Sequence, residues 1–291
     1  MVDSRLHYRF ALTLLMLSPT AWADDDMNFL EDRPHWNLDT RVFADRDGGR
    51  GGLLGLGWDT DHGAKLDLRR TAFNSGSGLD SRQTQIGVAS TSLSTWRLGV
   101  SADQTSYSDT LDINRVTPQV TWMGEAWDIG FAPEFSRLAF ARRATATGAN
   151  TLDLYSRAWQ TNVSYFGLQD WMLSAHHYRA TYSRNLATVT NRIQQLGQIV
   201  GSSRIATADG LVSGLLATRT GADVSYSWGR TLIGASYERA VSEADRAISK
   251  SSALSLDWQQ NQRFSWSTQL TRTRYDTDTY VTISGGIRIS W

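Results

Sequence analysis

Charged residues of both signs recur at a spacing of two along this chain. Asp39 and Arg41 are two apart, and so are Lys65, Asp67 and Arg69. Residues two apart share one face of an extended strand, because successive side chains point to opposite faces. A wall with opposed guanidinium and carboxylate groups orients polar solutes in a water-filled channel, or it braces a closed interior with ion pairs. Both interpretations stand at this point.

The same spacing assigns further charged residues to the polar faces of predicted strands. If these strands form a closed sheet, we expect its interior to be lined by Arg41, Asp67, Arg69, Arg97, Arg115, Asp128, Glu134, Asp223, Glu238, Asp257 and Arg288. The mixture of signs argues against strong ion selectivity. Lys65 and Lys250 are the only lysines. This preference for arginine reflects either codon bias in a GC-rich genome or the use of its planar fork to bridge carboxylates and sugars.

Other arrangements that could perform chemistry are weak. His176 and His177 suggest a lipase or deacylase, but neighbours on a strand face opposite ways, so only one of them can point to the same side as the charged residues. A lipid-facing or interfacial position is the simpler interpretation. The segment from Asp45 to Gly48 begins like a calcium loop but lacks the later ligands and the closing glutamate. We therefore expect no enzyme activity, no metal site and no cofactor.

The elements that position these side chains are segments in which apolar and polar residues alternate. Fourteen such segments follow Trp36, with short turns at 59–63, 91–94, 124–126, 167–170, 228–231 and 259–262 and mostly longer connections at the other end. A strand that crosses a membrane needs about 9–11 residues. The predicted fold is all-β: a transmembrane antiparallel up-and-down β-barrel of about fourteen strands, with twelve or sixteen as alternatives. Pro118 and Pro133 interrupt strand patterns and are interpreted as bulges or strand ends.

The segment from Tyr280 to Trp291 alternates most clearly. One face carries Val281, Ile283, Ile287, Ile289 and Trp291, and the other carries polar residues and glycine. This pattern resembles the C-terminal strand of Gram-negative outer-membrane β-barrel proteins, although that family usually ends in Phe. The resemblance implies insertion into the outer membrane by the barrel-assembly machinery. It also implies outer-membrane lipid and lipopolysaccharide as surroundings.

The N-terminal segment predicts export to the same compartment. Arg5 and Arg9 precede an apolar run at 10–17, and small residues at Ala21 and Ala23 suit cleavage after Ala23. We expect a Sec-type signal peptide at 1–23, a periplasmic tail at 24–35 and the barrel at 36–291. Cleavage removes two arginines and one aspartate, so the 29 basic and 29 acidic residues fall to 27 and 28. This near-neutrality argues against a nucleic-acid partner.

Aromatic residues sort by strand end. Tryptophans near the short turns predict a periplasmic girdle and assembly signal that includes Trp58, Trp122, Trp127, Trp228, Trp258, Trp266 and Trp291. Tyrosines near the opposite ends predict a second girdle at the other interface, made by Tyr107, Tyr182, Tyr237, Tyr275 and Tyr280. The absence of cysteine excludes a lipoprotein anchor, disulfides and a thiolate metal site.

The long connection at 184–214 is the least strand-like segment of the predicted barrel. Val189, Ile193, Leu196 and Val200 recur there at helical spacing, which suggests either a lid over the mouth or an exposed hairpin. The function that fits best is a porin-like passive channel for small polar solutes or oligosaccharides. The alternatives are a component that exports a surface polysaccharide or another polymer, and a structural or adhesive barrel that does not conduct.

Overall fold

Fourteen antiparallel strands close on themselves in the computed structural model of this chain, which describes residues 36–46, 48–60, 63–74, 80–90, 95–107, 111–141, 151–184, 215–243, 246–275 and 278–291. Neighbours in sequence are neighbours in the sheet throughout, and β14 pairs with β1 to complete the cylinder. The predicted class and the count of fourteen are confirmed, and twelve and sixteen are excluded.

The strands have the lengths that a membrane crossing needs, and several extend beyond it. In chain order they are β1 Trp36–Asp45, β2 Arg50–Asp59, β3 Ala64–Asn74, β4 Asp80–Ser90, β5 Trp96–Tyr107, β6 Leu111–Met123, β7 Trp127–Ala141, β8 Thr151–Leu168, β9 Trp171–Tyr182, β10 Leu216–Trp228, β11 Thr231–Ser242, β12 Ile248–Asn261, β13 Phe264–Tyr275 and β14 Asp278–Ser290. No helix in the described part of the chain is long and apolar enough to cross a membrane.

The two ends of the barrel differ in their connections. At the end that carries Trp36 and Trp291, the longest connection between strands is five residues. The opposite end includes the connections at 142–150 and 183–215. Single-chain outer-membrane barrels keep short turns on the periplasmic side. We therefore name the first end periplasmic and the second end extracellular.

One face of every strand is apolar although it lies on the outside of the molecule. Leu54, Ile86 and Leu254, for example, are 56%, 58% and 62% exposed. Their partners across the sheet point the same way, because antiparallel register keeps paired side chains on one face. An apolar surface that surrounds the barrel is suited to lipid. We call this face lipid-facing and the other face lumen-facing.

The periplasmic edge of the lipid-facing surface is aromatic. The rings of Trp36 and Trp58 stack with centroids 5.4 Å apart, and those of Trp258 and Trp266 lie 6.2 Å apart. These pairs are direct cross-strand neighbours. Rings in such positions contact each other and the boundary between lipid and water. The structure places the seven predicted girdle tryptophans at or near the periplasmic ends of their strands.

The interpretation of the two prolines was wrong in detail. Neither is at a strand end or in a bulge: Pro118 pairs with Val100, and Pro133 pairs with Trp159. Between β6 and β7 the pairing stops after Val116 and resumes at Val120 with its register unchanged, so the two prolines lie opposite each other. Proline has no N–H to donate. The loss of two donors is therefore confined to one point of a single seam.

The sequence predictions for the signal peptide at 1–23, the tail at 24–35 and nearly all of the connection at 184–214 lie outside the described residues. Of that connection, the structure describes only Arg184 and, just beyond it, Leu215.

Candidate functional site

The lumen is the candidate site, and strand alternation delivers the predicted side chains to it. The cross-strand register places all of them on the lumen-facing side, spread over nine strands: Arg41, Asp67, Arg69, Arg97, Arg115, Asp128, Glu134, Asp223, Glu238, Asp257 and Arg288. The structure brings most of them into two groups on different parts of the wall. Asp257 is close enough to Arg41 and Arg288 of the second group to interact with their charges, and Arg97 and Asp128 interact with each other.

The first group begins on β6 with Arg115, which lies between two carboxylates. Its Nε atom is 3.8 Å from Oδ2 of Asp103 and 3.3 Å from Oε1 of Glu134. The amide of Gln83 donates to the other oxygen of Asp103 at 3.4 Å. The side chain of Asp103 is only 5% exposed and that of Glu134 is 13% exposed. Buried carboxylates need a counter-charge, and Arg115 supplies it to both.

A tyrosine and a second arginine extend this group along the wall. The hydroxyl of Tyr178 on β9 donates to Oε1 of Glu134 at 3.3 Å. The guanidinium of Arg219 on β10 lies 5.5 Å from the centre of the Tyr178 ring, within the range of a cation–π contact. Nε of Arg219 is also 3.7 Å from Oε2 of Glu238 on β11. Charge contacts therefore continue from β5 to β11.

His176 closes the group by reaching across an intervening strand. Its Nε2 atom is 3.2 Å from Oε2 of Glu238, and its Nδ1 atom is 3.7 Å from Oδ2 of Asp223. Gly221 lies directly between His176 and Glu238 in the register. A Cβ atom built on Gly221 would collide with the imidazole ring. Glycine at 221 is what lets the ring of His176 cross β10.

The second group lies on β14, β1, β2 and β3 and joins residues on the same strand or on adjacent strands. Asp39 is 3.6 Å from Arg41 and 3.4 Å from Arg288, measured between charged atoms. Arg69 and Asp67 are 3.8 Å apart, on the same strand. Near the periplasmic end, Lys65 and Asp59 are 3.7 Å apart. We call this group the β14–β3 wall and the first group the β5–β11 wall.

The two walls face each other. Strands that are seven positions apart in a closed cylinder of fourteen are diametrically opposed, so β14, β1, β2 and β3 face β7, β8, β9 and β10. The walls also differ in the exposure of most of their carboxylates: that of Asp67 is 30% exposed, whereas those of Asp103 and Glu238 are 5% and 11% exposed. One side of the lumen is therefore more open to solvent than the other.

The extracellular half of the β5–β11 wall contains an apolar cluster that our sequence reasoning missed. Five side chains that point toward the barrel axis are 0–7% exposed, and Tyr107, Tyr182 and Leu215 pack against them; the five are Leu111, Ile113, Leu138, Phe140 and Leu154. The alternation of side chains along β6 and β7 does indicate this cluster. Leu111 and Ile113 share the parity of Arg115, and Leu138 shares that of Glu134, so apolar residues were to be expected facing inward there.

The predicted tyrosine girdle is wrong for three of its members. Tyr107 and Tyr182 pack on the apolar cluster, and the hydroxyl of Tyr182 donates to the carbonyl of Leu216 at 2.9 Å. Tyr280 is 8% exposed and lumen-facing. Tyr237 is lipid-facing and 49% exposed. The position of a tyrosine along its strand does not determine whether it faces the lipid or the lumen. That is determined by whether it is an even or odd number of residues from the lipid-facing apolar residues of the same strand.

The histidine pair divides between the faces, as strand geometry requires. His176 is lumen-facing, and both of its ring nitrogens face carboxylates. His177 is lipid-facing: its ring lies 5.1 Å from that of Trp159, and its Nδ1 atom is 2.8 Å from the hydroxyl of Thr220. A lipase-type pair needs a serine within hydrogen-bond reach of an imidazole nitrogen. Both nitrogens of His176 are occupied by other groups.

The calcium-like segment forms a turn in which the carboxylate of Asp45 accepts a hydrogen bond from the backbone N–H of Gly49 at 2.6 Å. Asp47 lies outside the described residues. Among those that the structure describes, no group of three or more histidine, aspartate or glutamate side chains is arranged to hold a metal ion.

Comparison with known proteins places the fold but no narrower family. No protein-family model matches the sequence, and neither does any curated protein. The chain is similar to the solved structure of CymD, a monoaromatic hydrocarbon channel, with a TM-score of 0.53 and 8% identity over 89% of each chain. It is also similar to a loop-deletion mutant of OmpT, an outer membrane protein of Vibrio cholerae, with a TM-score of 0.50 and 10% identity over 89% of this chain and 100% of that chain. The fold is that of an outer-membrane β-barrel.

Proposed function

We propose that this protein is an outer-membrane channel that passes small polar solutes, among them oligosaccharides, along the β14–β3 wall. The observation that carries the proposal is the pair of opposed charged walls, of which one keeps Arg41, Arg69 and Asp67 about one-third exposed. Groups that remain exposed inside a barrel of this width are available to hydrated solutes.

The space beside this wall supports the same path. Gly55 on β2 lies between Asp39 and Arg69 in the register, and it adds no side chain there. A Cβ atom at this position would make only ordinary contacts, the nearest at 3.4 Å from Cγ of Arg69. Gly87 on β4 lies opposite Asp67 and is equally open. The charged groups of β1 and β3 therefore border free volume.

The chemistry of this wall suits neutral polar solutes better than ions. Guanidinium and carboxylate groups alternate over a few ångströms, so a passing hydroxyl finds both donors and acceptors. A mixture of signs gives little net potential along the path and hence weak ion selectivity. Polar walls of this kind are unsuited to apolar solutes such as those named for CymD.

The test is a current recording of the full-length mature protein in planar bilayers, followed by swelling of proteoliposomes in sugars of increasing size. We expect stable conductance steps and swelling that declines as the sugar grows. Arg69→Gln, on the proposed path, should alter the sugar cut-off. Arg137→Gln is the matched control, because Arg137 is lipid-facing and paired with Asp153 at 2.9 Å. Equal effects of the two variants would contradict the proposed path.

A second candidate is a structural barrel that does not conduct. The more buried β5–β11 wall and the apolar cluster above it favour this alternative, because together they occupy the lumen side of seven strands. A protein that is folded in bilayers, silent in current recordings and impermeable to the smallest sugar would establish it and end the channel proposal.

The proposal includes the route to the membrane. Residues 1–23 direct Sec-type export, and the barrel-assembly machinery inserts the chain with its tryptophan end in the periplasm. We predict that the protein recovered from outer membranes begins at Asp24, as N-terminal sequencing will show. An N-terminus at Met1 in membrane-inserted protein would contradict the cleavage.

A further inference from the structure

The lipid-facing surface carries its own set of charges, and they are mostly basic. On the described strands, ten lipid-facing residues are arginine or lysine and three are aspartate. The basic residues are Arg50, Arg70, Arg82, Arg137, Arg157, Arg179, Arg239, Lys250, Arg272 and Arg274, and the acidic residues are Asp80, Asp112 and Asp153. A chain that is neutral overall has therefore placed an excess of positive charge on its outside.

Several of these basic residues, those of the densest region among them, occupy one level of the barrel. Arg179 follows the girdle residue Trp171 by eight positions, and Lys250 precedes Trp258 by eight. Eight residues extend about 27 Å along a strand, or roughly 20 Å along the barrel axis at the usual tilt. The apolar band of an outer-membrane barrel is about 25 Å tall. These residues therefore lie at the extracellular edge of the lipid, where the polar groups of the outer leaflet begin.

The lipid-facing basic residues are most closely spaced on β11, β12 and β13. Arg239 lies directly opposite Lys250, and Lys250 lies directly opposite Arg274, with Arg272 diagonal to it. We call these four residues the basic cluster. Like charges directly opposite each other on a sheet repel. Around Arg239 and Lys250, the lipid-facing strand positions of β11 and β12 carry no carboxylate, and Glu243, beyond the end of β11, is paired with Arg246 at 3.1 Å. Arg274 on β13 has a further contact of its own.

Below the cluster the surface is apolar and exposed. Leu254 and Leu270 are direct cross-strand neighbours that are 62% and 47% exposed, and Tyr237 on β11 is 49% exposed. The patch therefore has a cationic upper part and an apolar lower part. A lipid with a phosphorylated headgroup and several acyl chains matches both parts at once.

We propose that the basic cluster binds the phosphate groups of lipopolysaccharide in the outer leaflet, with the acyl chains lying on Leu254, Leu270 and Tyr237. Arginine forms bidentate, charge-assisted hydrogen bonds to phosphate, and lysine adds a mobile point charge. A bound phosphate turns the repulsion between Arg239 and Lys250 into a shared attraction. The site is independent of the lumen, so it stands whether or not the barrel conducts.

The test is lipopolysaccharide binding to the full-length mature protein folded in detergent, followed by native mass spectrometry and by titration. Arg239→Gln/Lys250→Gln removes two charges that face each other. Arg50→Gln/Arg179→Gln removes two lipid-facing charges at the same level, neither of which lies directly opposite another base. We expect the cluster variant to raise Kd by about tenfold and the control variant by less than about twofold. Equal losses in the two variants, or none in either, would overturn the proposal.

Three further measurements identify the occupant. Lipopolysaccharide stripped of its lipid A phosphates should bind as weakly to the native protein as intact lipopolysaccharide binds to the cluster variant. Inorganic phosphate and an acidic peptide should not displace the lipid at millimolar concentration. Displacement by either would assign the cluster to a free anion or to a protein partner and reject the lipid. Heat-modifiable gel mobility shows whether each variant has folded. If the double variant does not fold, Lys250→Gln alone takes its place, and we expect it to raise Kd about threefold.

Discussion

The two walls of the lumen use the same residue types in opposite ways. On the β5–β11 wall, Arg115 contacts two carboxylates that are 5% and 13% exposed, and the contacts continue through Tyr178 and Arg219. On the β14–β3 wall, Arg69 is paired with Asp67, and both remain about one-third exposed. The first arrangement is a connected network in which most carboxylates are buried, whereas the second consists of short-range pairs and one group of three, in which Asp39 bridges Arg41 and Arg288.

This difference shows that charged residues inside a barrel can have two different roles, which depend on their burial. Buried charges depend on each other, because the loss of one leaves its partner without a counter-charge in a medium that solvates it poorly. Exposed pairs depend on water and contribute little to stability. We infer that the β5–β11 wall stabilises the cylinder and that the β14–β3 wall is available to solutes. The first two predictions below compare the two walls, and the third tests the path along the β14–β3 wall.

The largest difference is expected for the removal of a single arginine. Arg115→Gln should lower the free energy of unfolding by about 3–5 kcal/mol, because Asp103 and Glu134 stay buried without their cation. Arg69→Gln should cost about 1 kcal/mol or less. Urea unfolding in lipid vesicles, followed by tryptophan fluorescence, measures both. Similar costs for the two variants would show that the walls do not differ.

A smaller difference is expected for the addition of a methyl group. Gly221→Ala should cost about 1–3 kcal/mol, since the new Cβ displaces His176 from Glu238. Gly55→Ala meets only ordinary contacts and should be neutral or stabilising by up to about 1 kcal/mol. The same unfolding experiment measures both changes. A tolerated Gly221→Ala would mean that His176 does not depend on crossing β10.

The smallest effect concerns ion preference. Arg69→Glu places a second acidic group beside Asp67 on the proposed path and should shift the channel toward cations, with a change of roughly twofold in the permeability ratio. Arg137→Glu, on the lipid-facing side, should leave the ratio unchanged. Reversal potentials in a salt gradient give the ratio. A shift with Arg137→Glu alone would place the conducting path outside the lumen.

Much of the fold could be predicted because alternation is a local property. Each strand shows its own period, and the faces of Asp67, Arg69 and Glu134 follow from it. The contacts could not be predicted, because they depend on register between strands. Nothing in the order of residues says that Gly221 lies between His176 and Glu238, or that Arg239 lies opposite Lys250.

The apolar cluster around Leu138 and Leu154 was missed for a different reason. A barrel interior is commonly assumed to be polar, so apolar residues of lumen-facing parity were not weighed. The misplaced girdle tyrosines share this cause, because Tyr107 and Tyr182 belong to the same packing. Parity, applied strictly along β5 to β9, would have found both.

The seam between β1 and β14 has a consequence for the time course of folding. Trp36 and Trp291 exchange two backbone hydrogen bonds of 2.9 Å, so the pair that closes the cylinder joins residues 255 positions apart. Contacts of such long separation form late, because the intervening chain must be ordered first. Until they form, both edges of the sheet expose unpaired N–H and C=O groups that can recruit another chain. The hazard of misassembly therefore lasts until this one pair has met, and any delay in closing it lengthens the exposure of every other strand.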